Sequence, residues 1–184
     1  MFHVIARSKR SEVVVESSEN DEIYMNRWGT FRLRSDIGQL EIVEASAGWE
    51  KFVDSVNKIS STFVVTIASF GPNFAAFVDN ERNFWTLGLD FSACAKAPEK
   101  DIVSLRKMAS HLDICKISVG EWHGLILTKA GDVFSFGRGS SGELGTGSRV
   151  SWQDELVRVQ DISTCLDVAA GSSFPYNNCA PFKI

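Results

Sequence analysis

Two short runs of apolar residues, separated by a tight turn, form the clearest hydrophobic pattern in the chain. The runs cover residues 125–128 and 133–136, and Gly131 lies in the polar turn between them. β-Branched and aromatic residues favour strands, and two such runs around a glycine-containing turn are typical of a β-hairpin. A loop with five glycines follows, at residues 137–147. The pattern therefore predicts strand, turn, strand and glycine-rich loop.

The same pattern occurs again 49 residues earlier in the chain. Gly71 aligns with Gly120 and Gly88 aligns with Gly137 without a gap, and matching apolar runs lie between them. A third start, at residues 168–171, repeats the residues that lead into Gly120. Self-similarity at a period of roughly 20–50 residues is typical of repeat proteins. Strand-type runs exclude the helical repeat classes.

Residues 117–147 resemble the repeat of the regulator of chromosome condensation family. The resemblance lies in a Gly-x-x-His turn, in the glycines of the hairpin and in a Gly-Glu-Leu-Gly-x-Gly loop. The motif is degraded in the earlier unit, where Phe74 takes the His position and Arg82 takes the turn glycine position. The residues that we predict to be structural in these repeats are Gly71, Gly88, Gly120, His123, Gly131, Gly137, Gly142, Leu144, Gly145, Gly147 and Gly171.

The resemblance implies an all-β fold, a partial β-propeller of about three four-stranded blades. Closed propellers have about four to eight blades, so we expect this chain to be part of a larger propeller. The units that we predict are a degenerate first blade at 1–66, a degraded repeat at 67–116, the best-preserved repeat at 117–167, and the start of a further repeat with a tail at 168–184.

The first predicted blade is less regular than the others. We expect a strand at residues 13–15, a polar turn at 17–21, and a second strand at 23–25 that leads to Trp28 and Gly29. A Gly-Gln-Leu loop is predicted at 38–40. Residues 52–59 fit either a strand or a short helix, and we expect residues 60–70 to form the strand that leads into the second unit. After the hairpin of the best-preserved repeat, residues 165–168 are expected to form the strand that completes the unit.

Composition narrows the classes of function. The net charge is −4 and the isoelectric point is about 5.4, which disfavours direct nucleic-acid binding because a DNA-wrapping surface is normally basic. No apolar segment is long enough for a membrane span or a signal peptide, so we expect a nuclear or cytoplasmic protein. The four cysteines show no Cys-x-x-Cys spacing and are expected to be reduced. We expect Cys115 and Cys165 to be small buried residues.

No set of residues indicates covalent catalysis, a metal site or a cofactor. His123 lacks the context of a catalytic base, and the resemblance implies a structural role for it. Residues 137–142 formally read Gly-x-Gly-x-x-Gly after a strand, which is the pattern of a dinucleotide site. Such a site needs a helix N-terminus, and the glycines that follow would break that helix. A nucleotide-binding enzyme is therefore the disfavoured alternative.

The favoured function is a non-enzymatic scaffold that binds a protein. Propellers carry binding residues on the loops between strands, and the candidates here are Arg138, Glu143, Arg149 and Trp152. Trp49 is a further candidate for an exposed anchor. The resemblance implies a small GTPase, a chromatin protein or a histone-modifying enzyme as partner. Guanine-nucleotide exchange on a small GTPase is an alternative that the resemblance also implies.

Overall fold

The computed structural model describes residues 21–26, 29–34, 36–45, 50–89, 103–147, 149–160, 162 and 164–171. Within them the chain forms eleven strands and one helix. In chain order these are β1 (Asp21–Asn26), β2 (Gly29–Arg34), β3 (Gln39–Ala45), α1 (Glu50–Thr62), β4 (Val65–Phe70), β5 (Phe74–Asp79), β6 (Phe84–Leu89), β7 (Val103–Ala109), β8 (Ile114–Val119), β9 (His123–Thr128), β10 (Val133–Gly139) and β11 (Val150–Arg158).

The strands form three antiparallel sheets, each built from strands that are consecutive in the chain. The sheet orders are β1-β2-β3, β4-β5-β6-β7 and β11-β10-β9-β8. Each four-stranded sheet packs against the preceding sheet through its own first strand, β4 or β8. The fold is therefore all-β, a partial β-propeller of three blades, as the sequence predicts. The first sheet differs from the expected blade because it has three strands within the described residues.

Several details of the first unit differ from the prediction. Asp21 belongs to β1 and pairs with Arg34, so it is not part of a turn. Gly29 begins β2, and Gln39 begins β3 and is not in a loop. Residues 31–34 of β2 alternate between buried and partly exposed, which is the period of a strand. The glycine motif used for the prediction does not include this alternation. The strand predicted at 13–15 lies outside the described residues.

Helix α1 resolves the ambiguity of residues 52–59 and shortens the strand predicted at 60–70, because residues 60–62 are helical. Val56 and Ile59 are fully buried, while Asn57 and Lys58 between them are exposed. A three-residue spacing of buried positions is helical, and it seats α1 against β3 and β7. At the end of the helix, Phe63 packs against Phe77 and Trp85.

The β5–β6 turn shows how the degraded repeat keeps its hairpin. Arg82 has a φ of 63°, close to the 87° of Gly131 in the matching turn. The carboxylate of Asp79 accepts hydrogen bonds from the backbone N–H of Asn83 at 2.8 Å and from Trp85 Nε1 at 2.8 Å. Burial opposes ionisation of Asp79, but these hydrogen bonds hold its pKa below the usual value. The clamp of Asp79 thus supports a backbone conformation that only glycine adopts easily.

A continuous apolar core joins the three sheets. Phe31 of the first sheet stacks on Phe70 of the second, with ring centroids 4.9 Å apart. Phe136 of the third sheet contacts Phe74 and Phe84 of the second, at 5.8 and 5.5 Å. The side chains of Phe31, Phe74 and Phe84 are at most 1% exposed. Aromatic rings therefore supply the contacts that hold one sheet against the next.

Three expectations outside the hairpins are wrong. Cys115 is exposed and Cys165 is half-buried, so neither is a buried core residue. Residues 165–168 lie beside β8 but form no strand. Cys115 lies where the β8–β9 pairing is irregular, between Ile114 and Lys116, so the strand alternation that would bury it is interrupted there.

Candidate functional site

The junctions between sheets are made by equivalent residues in each repeat. A Cβ added to Gly71 would collide with the carbonyl oxygen of Gly120, and one added to Gly120 would lie 2.5 Å from the carbonyl oxygen of Gly171. Only a glycine allows so close an approach of two backbones. Gly71, Gly120 and Gly171, which we predicted to be structural, therefore lie in one row that runs from one sheet to the next.

Serine hydroxyls form a second contact across each junction. Ser69 Oγ accepts the backbone N–H of Val119 at 3.1 Å, and Ser118 Oγ accepts that of Ala170 at 2.8 Å. Ser69 and Ser118 are equivalent in the two repeats. Their matching spacing is visible in the sequence, but serine is not part of the family motif and the sequence prediction missed them.

His123 lies directly behind this row of glycines. Its imidazole is buried, and a Cβ added to Gly120 would come within 2.9 Å of its Cε1 atom. Within the described part of the chain, Nδ1 has no hydrogen-bond partner. Burial lowers the pKa of His123 below 6.5, and the negative charge of Glu143 opposes this shift. His123 is therefore placed to pack the β9 end of the junction in its neutral form.

The burial of His123 predicts a pH dependence of stability. Because the unfolded chain binds a proton near pH 6.5 more readily than the folded chain, the free energy of unfolding should decrease as the pH falls below 6.5. The slope for one proton is at most about 1.4 kcal/mol per pH unit. His123→Phe, which copies Phe74 of the earlier repeat, should remove this component. Urea titrations of both proteins at pH 7.5 and 5.5 measure it, and equal losses in both would contradict the prediction.

The glycine-rich loop between β10 and β11 is held from inside. Leu144 is buried, and its carbonyl oxygen accepts a hydrogen bond from the buried Ser135 Oγ at 2.8 Å. Its side chain also fills the space beside Gly139, where a Cβ would lie 2.7 Å from Leu144 Cδ1. Gly142, Gly145 and Gly147 all have positive φ values, which suit the successive turns of the loop. The loop is therefore a fixed structure on the β10–β11 pair.

Glu143 and Arg138 form the charged part of this loop. The Glu143 side chain is only 2% exposed, and its Oε2 accepts the backbone N–H of Ser141 at 2.7 Å. Its Oε1 lies 4.0 Å from Arg138 Nε, which also donates to Ser140 Oγ at 2.8 Å. The expectation that Glu143 is a solvated loop charge is therefore wrong. It holds the loop through the backbone N–H of Ser141, and it lies beside the Arg138 side chain, whose own exposed fraction is 42%.

The other two candidates lie at the start of β11: Arg149 directly precedes the strand and Trp152 is its third residue. Arg149 is exposed. Trp152 pairs with Arg138 in the β10–β11 ladder and is half-buried, with its Nε1 donating to Asp154 Oδ1 at 2.8 Å. Asp154 in turn lies 3.5 Å from Arg106 of β7. The structure thus brings Arg138, Arg149 and Trp152 to one end of the third sheet, while Trp49 lies outside the described residues.

The geometry does not support a nucleotide site in this loop. The turns after Gly142 lead to strand β11, so no helix begins at this loop to hold a pyrophosphate. Among the described residues there is no group of three or more side chains suited to hold a metal ion. No helix in that part of the chain is long and apolar enough to cross a membrane. The arrangement offers two accessible cations, Arg138 and Arg149, at one end of the third sheet.

Comparison with known families identifies one repeat. Residues 114–143 match the family model described as Regulator of chromosome condensation (RCC1) repeat. This match covers β8, β9, β10 and the first half of the loop. No curated protein matches the chain.

Among solved structures, the chain is similar to Prp20p from Saccharomyces cerevisiae, described with its binding properties to Gsp1p and histones. The TM-score is 0.48 at 15% identity, over 79% of this chain and 37% of that chain. It is also similar to yeast RCC1 (Prp20) bound to Kap60, with a TM-score of 0.48 and 19% identity over 92% and 42%. For human WBSCR16 the values are 0.43 and 11%, over 77% and 36%. This chain therefore spans less than half the length of each of them.

Proposed function

Because residues 114–143 match a repeat of the regulator of chromosome condensation family, we propose that the protein is a non-enzymatic scaffold that binds another protein. The contact surface consists of Trp122, Arg138, Ser140 and Arg149, on the loop end of the third sheet. One observation carries the proposal: a buried carboxylate, Glu143, accepts the backbone N–H of Ser141 and lies beside Arg138, on a loop whose outer residues are exposed.

The rigidity of the loop supports binding. Fixing a loop before binding reduces the conformational entropy that association costs. Ser135 and Leu144 anchor the loop from inside, and the backbone N–H of Arg138 donates to the carbonyl oxygen of Trp122 at 2.8 Å. The turn between β8 and β9 and the loop between β10 and β11 thus present their side chains at fixed relative positions.

The composition of the contact surface indicates the kind of partner. Tryptophan and arginine are enriched among residues that dominate binding energy in interfaces. Trp122 is half-buried, and Arg138 and Arg149 are accessible cations. The surface therefore suits a protein that presents carboxylates. A small GTPase, a chromatin protein and a histone-modifying enzyme are the partner classes that the family suggests.

Site-specific photo-crosslinking tests this proposal. A photoreactive amino acid is placed at Ser140 or, as a matched control, at Ala130 in the exposed β9–β10 turn at the other end of the hairpin. We expect position 140 to capture a defined protein that position 130 does not. Mass spectrometry then identifies the captured protein. Capture of the same protein with equal yield at position 130 would contradict the assignment of this surface.

The captured protein is then used in a binding measurement. The double variant Arg138→Ala, Arg149→Ala should bind it at least about tenfold more weakly, because arginines in a contact centre each contribute more than a rim charge does. Lys129→Ala, an exposed cation at the opposite end of the hairpin, should bind like the wild type. Unchanged affinity of the double variant would overturn the proposal. If the partner is a small GTPase, accelerated release of labelled GDP distinguishes an exchange factor from a scaffold.

A further inference from the structure

Residues 164–171, called the edge segment, follow the third sheet. Burial alternates over residues 167–171: Val168 is buried and Ala170 is half-buried, while Asp167, Ala169 and Gly171 are exposed. Such alternation is typical of an extended strand with one packed face. The segment is nevertheless not part of any sheet.

The edge segment occupies the place that β8 occupies one repeat earlier. Gly120 lies against Gly71, and Gly171 lies against Gly120. The N–H of Val119 donates to Ser69, and the N–H of Ala170 donates to Ser118. The edge segment thus takes the position of a first strand, and within the described residues no second strand covers it as β9 covers β8.

The register identifies which backbone groups are free. Successive N–H groups of an extended strand point to opposite edges, and that of Ala170 points to Ser118. The N–H of Ala169 therefore points to the edge that β9 covers on β8. Within the described part of the chain, the N–H groups of Leu166, Ala169 and Gly171 make no hydrogen bond. An unpaired edge of this kind is a template for pairing with another strand.

Two sequence features favour a strand from another polypeptide. In the repeat alignment Pro175 falls on Gly124, the second residue of β9, and proline lacks the N–H that a ladder requires. Ala169 replaces the serine found at positions 69 and 118, so the hydroxyl that receives the next sheet is missing. The edge segment therefore retains the backbone N–H groups that can pair with an added strand. It lacks the serine hydroxyl that accepts a hydrogen bond from the next sheet at the other junctions.

We propose that the edge segment binds an extended peptide strand of another protein, antiparallel, as β9 pairs with β8. The occupant carries a small residue opposite Ala170 followed by three apolar residues, which is the pattern of Gly124 and residues 125–127. Main-chain hydrogen bonds supply affinity in this mode of recognition, and side chains supply specificity.

A fluorescent peptide of residues 121–130 tests the proposal by anisotropy, because it is the strand that this protein itself pairs with the equivalent edge. We expect saturable binding to the wild-type protein. Ala169→Pro, which removes the free donor, should weaken binding at least about tenfold, and Ala169→Val, which keeps it, should not. Circular dichroism and thermal melting establish that both variants are folded.

Two N-methylated versions of the peptide test the same pairing without any change to the protein. In β8–β9, Leu125 faces Ser118, so N-methylation of Leu125 in the peptide blocks the ladder, whereas N-methylation of Ile126 falls on the other edge. We expect only the Leu125 modification to abolish binding. Absence of binding by the unmodified peptide, or equal effects of the two modifications, would overturn the proposal.

Two further measurements distinguish a foreign strand at the edge from a second copy of this chain and from binding at the loop. If light scattering shows a dimer that Ala169→Pro dissociates, a second copy occupies the edge and the proposal of a foreign strand is wrong. The Arg138→Ala, Arg149→Ala variant should bind the peptide like the wild type, because its substitutions lie at the loop and not at the edge. Failure of the proposed peptide binding at the edge segment can therefore be distinguished from failure of the proposed protein binding at the loop.

Discussion

Phe136→Ala is expected to lower the free energy of unfolding by about 3–5 kcal/mol, the usual cost of deleting a buried aromatic ring. Phe136 is 5% exposed, and its ring contacts Phe74 and Phe84 of the neighbouring sheet. Its removal leaves a cavity at the junction of two sheets and removes edge-to-face contacts of the rings. Chemical denaturation followed by tryptophan fluorescence measures the loss.

Phe134→Ala is the matched control, because Phe134 lies two residues earlier in the same strand and is half-buried. We expect a clearly smaller loss for this variant, since less apolar surface is re-exposed. Equal losses for the two variants would mean that the contacts of Phe136 across the junction do not hold the sheets together.

Gly120→Ala is expected to destabilise the protein by about 1–3 kcal/mol through overpacking. The added Cβ would lie 2.5 Å from the carbonyl oxygen of Gly171 and 2.9 Å from His123 Cε1, so the edge segment or the imidazole must move. Gly71→Ala should have a similar effect, because its Cβ meets the carbonyl oxygen of Gly120. Thermal unfolding of the variants tests both.

Gly171→Ala provides the internal control for this series. Within 4 Å of a Cβ at Gly171 there is no atom of the described residues, so we expect a change within about 0.5 kcal/mol. The three glycines are equivalent in the repeat, and only their surroundings differ. A loss at Gly171 as large as that at Gly120 would show that the close approach of two chains does not determine the losses in the series.

Much of the fold could be predicted because the repeats share one hairpin pattern. Residues 125–128 and 133–136 are continuous apolar runs bounded by glycine turns, and both lie in strands of the structure. The first sheet was harder to predict because Phe31 and Leu33 bury their side chains without the glycine motif. Its strands are specified by cross-strand contacts, which a motif does not record.

The candidate site shows a similar division. The pattern located the loop and its cations, but it did not reveal that Glu143 is turned inward to hold the loop backbone. Glutamate is rarely buried, and here the backbone N–H of Ser141 bonds one carboxylate oxygen while the Arg138 guanidinium lies 4.0 Å from the other. The roles of Ser69 and Ser118 depend on the neighbouring repeat, so a pattern within one repeat could not predict them.

The backbone contacts at Gly71 and Gly120 also determine the geometry of the whole array. In repeat proteins, curvature follows from the small rotation between one unit and the next. Here two main chains touch at these glycines, with the side chains of Val119 and His123 beside them, while the aromatic core packs elsewhere. Substitutions in the aromatic core can therefore change stability while the pitch between sheets is retained. A side chain at either glycine would act as a wedge, open the angle and alter the number of units that one turn of the array can hold.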